Sequence, residues 1–397
     1  MGVEEELLVV DSAGRPVPLG PEALEIAARR GEGETAEEHD REEVSGAAES
    51  SAAPLKPELK AQQIELGTAV CRTLARVESE LRFWRSRADA AAMAVGARVA
   101  ALATSPVAVE PIPTEGERFE RMLDAFSVTA DEMLTSGCHV HVGVEDDEEG
   151  VAVLNRIRIW LPVLTALTAN SPFWRGADTG YASYRSRAWH RWPSAGPTEV
   201  FADAADYHRL IQAVLATGTV LDSGMVYFDA RLSERFPTVE VRTADVALRV
   251  EDAVTLAGLV RGLVETAARE ARSGTPPPAV PAAILRLAAW RAGRSGLAGD
   301  LVHPLTGTPA PAADVVAALL DHVRPALSDA GDEHRVAEGL ATLLRRGTGA
   351  DLQRRVHRET GDLAAVVRAA VEVTTGRGTP STHGGRGPAE PAVSSPR

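Results

Sequence analysis

The stretch Pro-Thr-Val-Glu-Val-Arg-Thr-Ala-Asp at 237–245 sets an acid and a base two residues apart. β-Branched residues alternate there with polar ones, which predicts a strand. Successive strand side chains point to opposite faces, so Thr238, Glu240 and Arg242 share one face and Val239 and Val241 the other. Alone, such a strand needs only a solvated face, but the pattern recurs. Residues 2–10 put Glu4 and Glu6 on one face, and residues 137–144 do the same for His139 and His141, with Cys138, Val140 and Val142 opposite. Glu65 lies between Ile64 and Leu66, and residues 225–231 align Tyr227, Asp229 and Arg231. Alternate strand residues lie roughly 6–7 Å apart, so two acids of one strand can reach one metal cluster. Stacked in one sheet, these five strands would present a polar face on an apolar floor. Its carboxylates would repel one another unless cations sat among them.

The elements that position these residues follow from periodicity. Residues 61–67 read as a strand. Leu74, Val77, Leu81 and Trp84 follow at helical spacing and predict a long helix over 73–96. A short strand is expected over 99–104, ended by Pro106, and a helix over 115–125. The acidic turn 145–149 suits a helix N-terminus and predicts one helix running to about Thr168. Helices are expected at 204–217 and 250–272. Residues 28–52, with an acidic run after Arg29 and Arg30, read as a poorly packed loop. Residues 170–187 lack periodicity and are dense in Arg, Tyr and Trp; they read as a functional loop or, alternatively, an aromatic surface patch.

The Pro run at 276–278 marks a break in composition. Residues 1–275 are expected to form a catalytic sheet with helices. Residues 276–375 are expected to be a helical part of the same unit, with helices at 281–295, 312–326, 333–345 and 351–372. The Gly-, Pro-, Ser- and Thr-rich tail, 376–397, is expected to be disordered.

The 397 residues are 44% hydrophobic and 25% charged, as in a soluble globular protein. A net charge of -14 argues against a nucleic-acid surface. Cys71 and Cys138 are the only cysteines, too few for a disulfide framework or a structural zinc site. No signal pattern or membrane-length apolar run stands out, so a cytoplasmic enzyme or binding protein is expected. Carboxylates with arginines and a histidine suit Mg²⁺ and a polyphosphate, because Mg²⁺ takes oxygen ligands and arginine forks grip phosphate. The His-x-His pair leaves zinc as an alternative. There is no phosphate-binding Gly-x-x-x-x-Gly-Lys loop and no dinucleotide fingerprint, which puts any nucleotide site on the sheet.

Several motifs occur in a specific order. They are Gly-Val-Glu-Glu-Glu at 2–6, Gln-Ile-Glu-Leu-Gly-Thr at 63–68 and Gly-Cys-His-Val-His-Val-Gly at 137–143. Asn-Ser-Pro-Phe-Trp-Arg-Gly at 170–176, Gly-Tyr-Ala-Ser-Tyr-Arg-Ser at 180–186 and Thr-Val-Glu-Val-Arg at 238–242 follow, then Gly-Thr-Gly-Ala at 347–350 with Gln353 and Arg354. Together they resemble the bacterial carboxylate–amine ligases of the glutamate–cysteine ligase type 2 family, over about residues 2–375. The resemblance implies an α+β, glutamine-synthetase-like antiparallel sheet flanked by helices. It also implies ATP-dependent joining of the γ-carboxylate of L-glutamate to the amine of L-cysteine.

By that resemblance Glu4, Glu6, Glu65 and Glu240 would hold Mg²⁺ in one cluster. Glu58 would join them only through a bend, since strict alternation puts it off the face of Glu65. His139 and Arg242 would meet the ATP phosphates. Arg175, Arg185 and Arg231 would serve the substrate carboxylates or the acyl phosphate. Two features depart from the family. Only Met1 precedes Gly2, so a short first strand or a misassigned start is expected, and the acidic stretch 31–50 is unusual. Another acid and amine, or phosphotransfer without ligation, remain as alternatives, and oligomeric state is open.

Overall fold

The computed structural model describes residues 1–45 and 54–376. Nine strands precede the long central helix: β1 (Gly2–Val10), β2 (Leu55–Lys56), β3 (Gln63–Gly67), β4 (Arg98–Ala100), β5 (Gly137–Gly143), a small hairpin of β6 (Phe173–Trp174) and β7 (Ala177–Asp178), β8 (Ala230–Leu232) and β9 (Thr238–Asp245). All but the hairpin join one antiparallel sheet in the order β2-β3-β1-β5-β9-β8, with β4 against the end of β1. Around it run α1 (Gly20–Ala28), α2 (Ala36–Ser45), α3 (Leu74–Ala94), α4 (Glu117–Phe126), α5 (Val128–Asp131), α6 (Asp147–Ile157), α7 (Leu161–Leu167), α8 (Arg185–Trp189) and α9 (Ala204–Ala216). The 23-residue α10 (Val250–Arg272) follows β9. Then come α11 (Ala282–Ser295), the hairpin β10 (Asp300–Val302) and β11 (Pro309–Pro311), α12 (Ala312–Asp329), α13 (Glu333–Arg346), α14 (Gly349–Thr360) and α15 (Leu363–Thr374).

Alternation builds the floor. Val3, Leu7 and Val9 of β1, Ile64 and Leu66 of β3, Cys138 and Val140 of β5, and Val239 and Val241 of β9 are all buried in one core. Leu74, Val77 and Leu81 of α3 and the inner face of α10 complete it. Burying each such side chain is worth about 1.5–3 kcal/mol, so the floor fixes the sheet's register. The same core takes in Val315 and Leu319 of α12 and Val336 of α13, so packing is continuous across residue 275. Leu8 and Val10 fall on the opposite face of β1, where Val367 and Val371 of α15 cover them. The polar face therefore ends where β1 passes under the C-terminal helix.

Local chemistry sets the helix ends. Thr73 caps α3 by accepting the Arg76 N–H, and Asp146 caps α6 by accepting that of Glu149. The helix expected from the acidic turn to Thr168 is broken: α6 and α7 meet at a bend of 66°, with Pro162 in the first turn of α7. The helix expected over 351–372 is likewise two, because Gly361 ends α14 in the left-handed region at φ 66°.

Other expectations change too. The stretch read as a loop at 28–52 contains α2, stabilised at its start by Glu37 and Glu38; residues 46–53 lie outside the described residues. The strand over 99–104 is only Arg98–Ala100. Tyr227 and Asp229 precede β8, and a 3₁₀ turn at Ser223–Met225 leads into them. β1 spans nine residues and is not short. The tail expected to be disordered falls, from residue 377, outside the described residues. Among the described residues, no single helix is long and apolar enough to cross a membrane.

Candidate active site

Directly opposed residues of antiparallel strands point to the same face. Glu4 opposes His139, Glu6 opposes Glu65, His141 opposes Glu240, and Glu240 opposes Arg231. The register thus gathers the acids and imidazoles expected from the sequence on one face. They do not form the single cluster expected of Glu4, Glu6, Glu65 and Glu240. Two groups result, each with its donor atoms within 4.8 Å of one another: Glu4, His141 and Glu240 in one, Glu6, Glu58 and Glu65 in the other. Alternation alone cannot make this division, because it depends on which strands are neighbours. Glu58 arrives on the bend between β2 and β3, where the Thr114 hydroxyl donates to its carbonyl at 2.5 Å. His141 is the ligand candidate missing from the sequence-based metal set. The signal for it was present, since it shares a strand face with His139.

His139 stands between the groups, with Nδ1 3.5 Å from Glu4 and Nε2 3.8 Å from Glu6. His141 lies 3.5 Å from Glu4 and is braced by Thr238, whose hydroxyl is 3.1 Å from Nδ1. The electrostatics differ within this small area. Burial and the neighbouring Glu6 push the Glu58 carboxyl up to about 7. Burial, with Glu4 and Glu58 nearby, holds Glu65 well above the usual range. Burial works against the charge of Glu240, but Arg242 and Arg231 outweigh it and hold its carboxyl well down. Burial likewise opposes the charge of Glu4, and His141 and His139 overcome it. Burial and Arg242 lower His139, whereas at His141 the adjacent Glu4 outweighs burial and raises it.

The four arginines expected at the site have different settings. Arg242 is buried, hydrogen-bonded to Glu240 on its own strand face, and its Nε has no partner among the described residues. Its guanidinium lies 5.9 Å from the Tyr227 ring centre. Arg231 is tied down by Glu240 at 2.6 Å and by the carbonyls of Gly224 and Val226 at 3.0 and 3.2 Å. Arg185 is buried against β5, over Trp189 at 5.5 Å, and its Nε has no partner among the described residues. Gly137 makes room for it: a Cβ there would come within 2.3 Å of Arg185 Nη2 and 3.0 Å of His139 Nε2. Arg175 is not drawn to the carboxylate face; its side chain is 58% exposed and bonds Glu132 at 2.6 Å.

A β-bulge adds a residue that alternation hides. Between Cys138 and Val140, two steps on β5 match three on β9. The extra residue turns Asp245, opposed to Gly137, toward the polar side. There it accepts the Asn170 N–H at 2.8 Å and the hydroxyls of Ser171 at 2.7 Å and Ser183 at 2.8 Å. These bonds pin the loop that carries Arg185. Asn170 is held from the other side by Gln353, at 2.7 Å to its side-chain oxygen, and a Cβ at Gly349 would meet that oxygen at 2.0 Å. The Gly-Thr-Gly-Ala signature therefore closes α14 onto the root of the site loop.

The donor set fits a hard divalent cation: oxygen predominates, and Glu58 and Glu65, raised by burial and then by like charges, would lose that repulsion to a bound cation. Comparison with known proteins identifies the family. The sequence family described as glutamate–cysteine ligase family 2 (GCS2) matches residues 1–369. A protein of Paenarthrobacter aurescens (strain TC1) named "Putative glutamate--cysteine ligase 2-1" is 49% identical over 385 residues, covering 96% of this chain and 97% of that one. "Putative glutamate--cysteine ligase 2" of Streptomyces coelicolor is 50% identical over 375 residues, covering 94% and 98%. Among solved structures, a glutamate–cysteine ligase from Francisella tularensis in complex with AMP superposes with TM-score 0.64 at 13% identity, over 96% of this chain and 89% of that one. A bifunctional glutathione synthetase from Pasteurella multocida gives 0.66 at 14% identity; the match covers 95% of this chain and 52% of that longer one. At such identities the structures speak for the fold alone.

Proposed function

This chain belongs to glutamate–cysteine ligase family 2, and we propose that it joins the γ-carboxylate of L-glutamate to the amine of L-cysteine, converting ATP to ADP and phosphate. The observation that carries the reading is the pair of acidic groups on one sheet face with Arg242 beside them. A carboxylate is a poor acylating agent because its leaving group is oxide. Attack of the γ-carboxylate oxygen on the terminal phosphorus of ATP releases ADP and leaves an acyl phosphate. The neutral amine of cysteine then attacks the acyl carbon, and phosphate departs. Mg²⁺ bound by Glu4, His141 and Glu240 and by Glu6, Glu58 and Glu65 would neutralise the phosphate oxygens during transfer.

The chain's own residues have separable tasks. Arg242 places a fixed positive charge where the phosphoryl group passes, in a buried setting that strengthens it. His139, whose charged form burial and Arg242 disfavour, stands between the two groups of acids and would donate to a phosphate oxygen there. Arg185, buried over Trp189 beside β5, would take a substrate carboxylate. Arg231 orients Glu240. The setting of the reaction is the cytoplasm, where ATP and both amino acids are available.

ADP release should require glutamate and cysteine together. With oxygen-18 in the γ-carboxylate, one labelled atom should appear in the released phosphate. Phosphate without label would rule out the acyl phosphate, and product phosphorylated without any amine would point instead to a phosphotransferase. A screen of acids and amines fixes the substrate pair.

A further inference from the structure

Asp229 is a buried carboxylate that the metal groups do not use. It is 9% exposed, and its backbone carbonyl accepts the Arg242 N–H at 3.0 Å. Antiparallel pairing of β8 with β9 runs from Leu232–Val239 through Arg231–Glu240 to Ala230–Val241. One step further, Asp229 stands opposite Arg242, on the polar face. The side chains whose field acts on its carboxylate are His190, Arg187 and Arg185, all from α8 or its C-terminal end. None of them lies within ion-pair or hydrogen-bond distance of it among the described residues.

Those three side chains are themselves underused. Among the described residues, Arg185 Nε, Arg187 Nε and His190 Nε2 are all buried without a partner. His190 spends its other nitrogen on the Ser186 carbonyl, and Gly196, whose carbonyl accepts the Asp229 N–H at 3.0 Å, lies against the imidazole. Trp189, Trp192 and Tyr227 pack together as an aromatic wall beside them, with ring centres 4.8 to 6.4 Å apart. Buried polar groups without partners are costly unless something completes them. One acid and two arginines, without an ion pair among the described residues and beside one aromatic wall, match an α-amino acid head group: an ammonium beside a carboxylate.

We propose that Asp229 binds the α-ammonium of the amino acid whose side-chain carboxylate is activated, while Arg185 and Arg187 take its α-carboxylate. This rests on the ligase reading and adds the source of its selectivity. The acid donor is the partner chosen because its ammonium stays protonated throughout. The attacking amine must be neutral to react, and a carboxylate that held it as an ammonium would block attack. The pairing of Asp229 with Arg242 then spaces the head group one strand away from the phosphoryl path. A diacid lacking the ammonium would leave Asp229 buried and unpaired, and the site would reject it.

The test compares L-glutamate with glutarate, the same diacid without the ammonium, by ADP release in the presence of ATP, Mg²⁺ and cysteine. Wild type should strongly prefer glutamate. Asp229→Asn should raise KM for glutamate and lower its kcat/KM by roughly 10- to 100-fold, the worth of one hydrogen bond to a charged group. Glutarate turnover should not fall, so the preference shrinks by the same factor. If Asp229 only balanced the charges of α8, Asp229→Asn would lower thermal stability and leave the preference intact, which overturns the proposal. Should that variant not fold, wild type decides: equal use of glutarate and glutamate overturns the assignment, and a strong preference supports it. Wild type inactive with glutamate and cysteine would overturn the ligase reading and the assignment together, whereas an active but indiscriminate wild type overturns only the assignment.

Discussion

Strand β1 carries three consecutive glutamates, and the fold treats them in two ways. Glu5 points into the floor, 0% exposed, where Arg85 of α3 grips both its oxygens at 2.7 Å. Arg85 also donates to the carbonyls of Ala247 and Leu248, so charge and donors are satisfied at once. Glu4 and Glu6 point the other way. Glu6 accepts one backbone bond, from the Gly137 N–H at 2.7 Å, and otherwise meets imidazole and more carboxylates. The floor acid has a built-in cation and holds the sheet to α3 and to the chain after β9. Glu6, in the group with Glu58 and Glu65, has no such arginine among the described residues, and that group is left for cations that come with the reaction. A buried acid with a fixed partner is a structural element; one among like charges marks a binding site.

That contrast can be broken first on the site side. Glu6→Gln should cut kcat/KM on the order of 10³-fold, since a metal at a phosphoryl group supplies several kcal/mol. Its melting temperature without metal should hold or rise, because a like charge has gone; a large drop in melting temperature would give Glu6 a role like that of Glu5. Arg242→Lys keeps the charge but loses the fork, and should lower kcat on the order of 10²–10³-fold with little change in KM for cysteine. Near wild-type turnover in that folded variant would leave Arg242 as a mere brace for Glu240.

On the floor side the signs reverse. Arg85→Met strands a buried carboxylate and should cost about 3–5 kcal/mol in chemical denaturation, while kcat per folded molecule stays near wild type. Adding Glu5→Leu should recover much of that stability, and failure to do so would contradict a simple pair.

The smallest effect is a pH dependence that separates the faces. A carboxyl raised in the folded state stabilises below its unfolded pKa, and that contribution is lost as pH rises through the folded value. For Glu58 the window runs from 4.5 to about 7, and Glu65 shifts in the same direction. Glu4 and Glu240, held low, contribute fully above the ordinary range and lose it only in acid. Metal-free protein should therefore lose a few degrees of melting temperature as pH rises across that window, and Mg²⁺ should restore it at the upper end only. A metal-independent, flat profile would place a permanent countercharge among these acids.

Sequence by itself determined the faces. Period-two alternation is a local property of the pleat, so Glu4 with Glu6, His139 with His141 and Glu240 with Arg242 were legible without any partner strand. The apolar alternates gave the floor for the same reason, and the ordered motifs gave the family. What alternation cannot carry is which strand lies beside which. Only the order β3-β1-β5-β9 split the acids into two groups and brought His141 into one of them. Only a bend placed Glu58, and only the bulge in β9 turned Asp245 to hold the Arg185 loop. Arg175, alike in type and motif to Arg185, went to Glu132, because its reach is set by the loop's path and not by its neighbours in sequence. Local spacing fixes where a side chain points; long-range pairing decides what it meets.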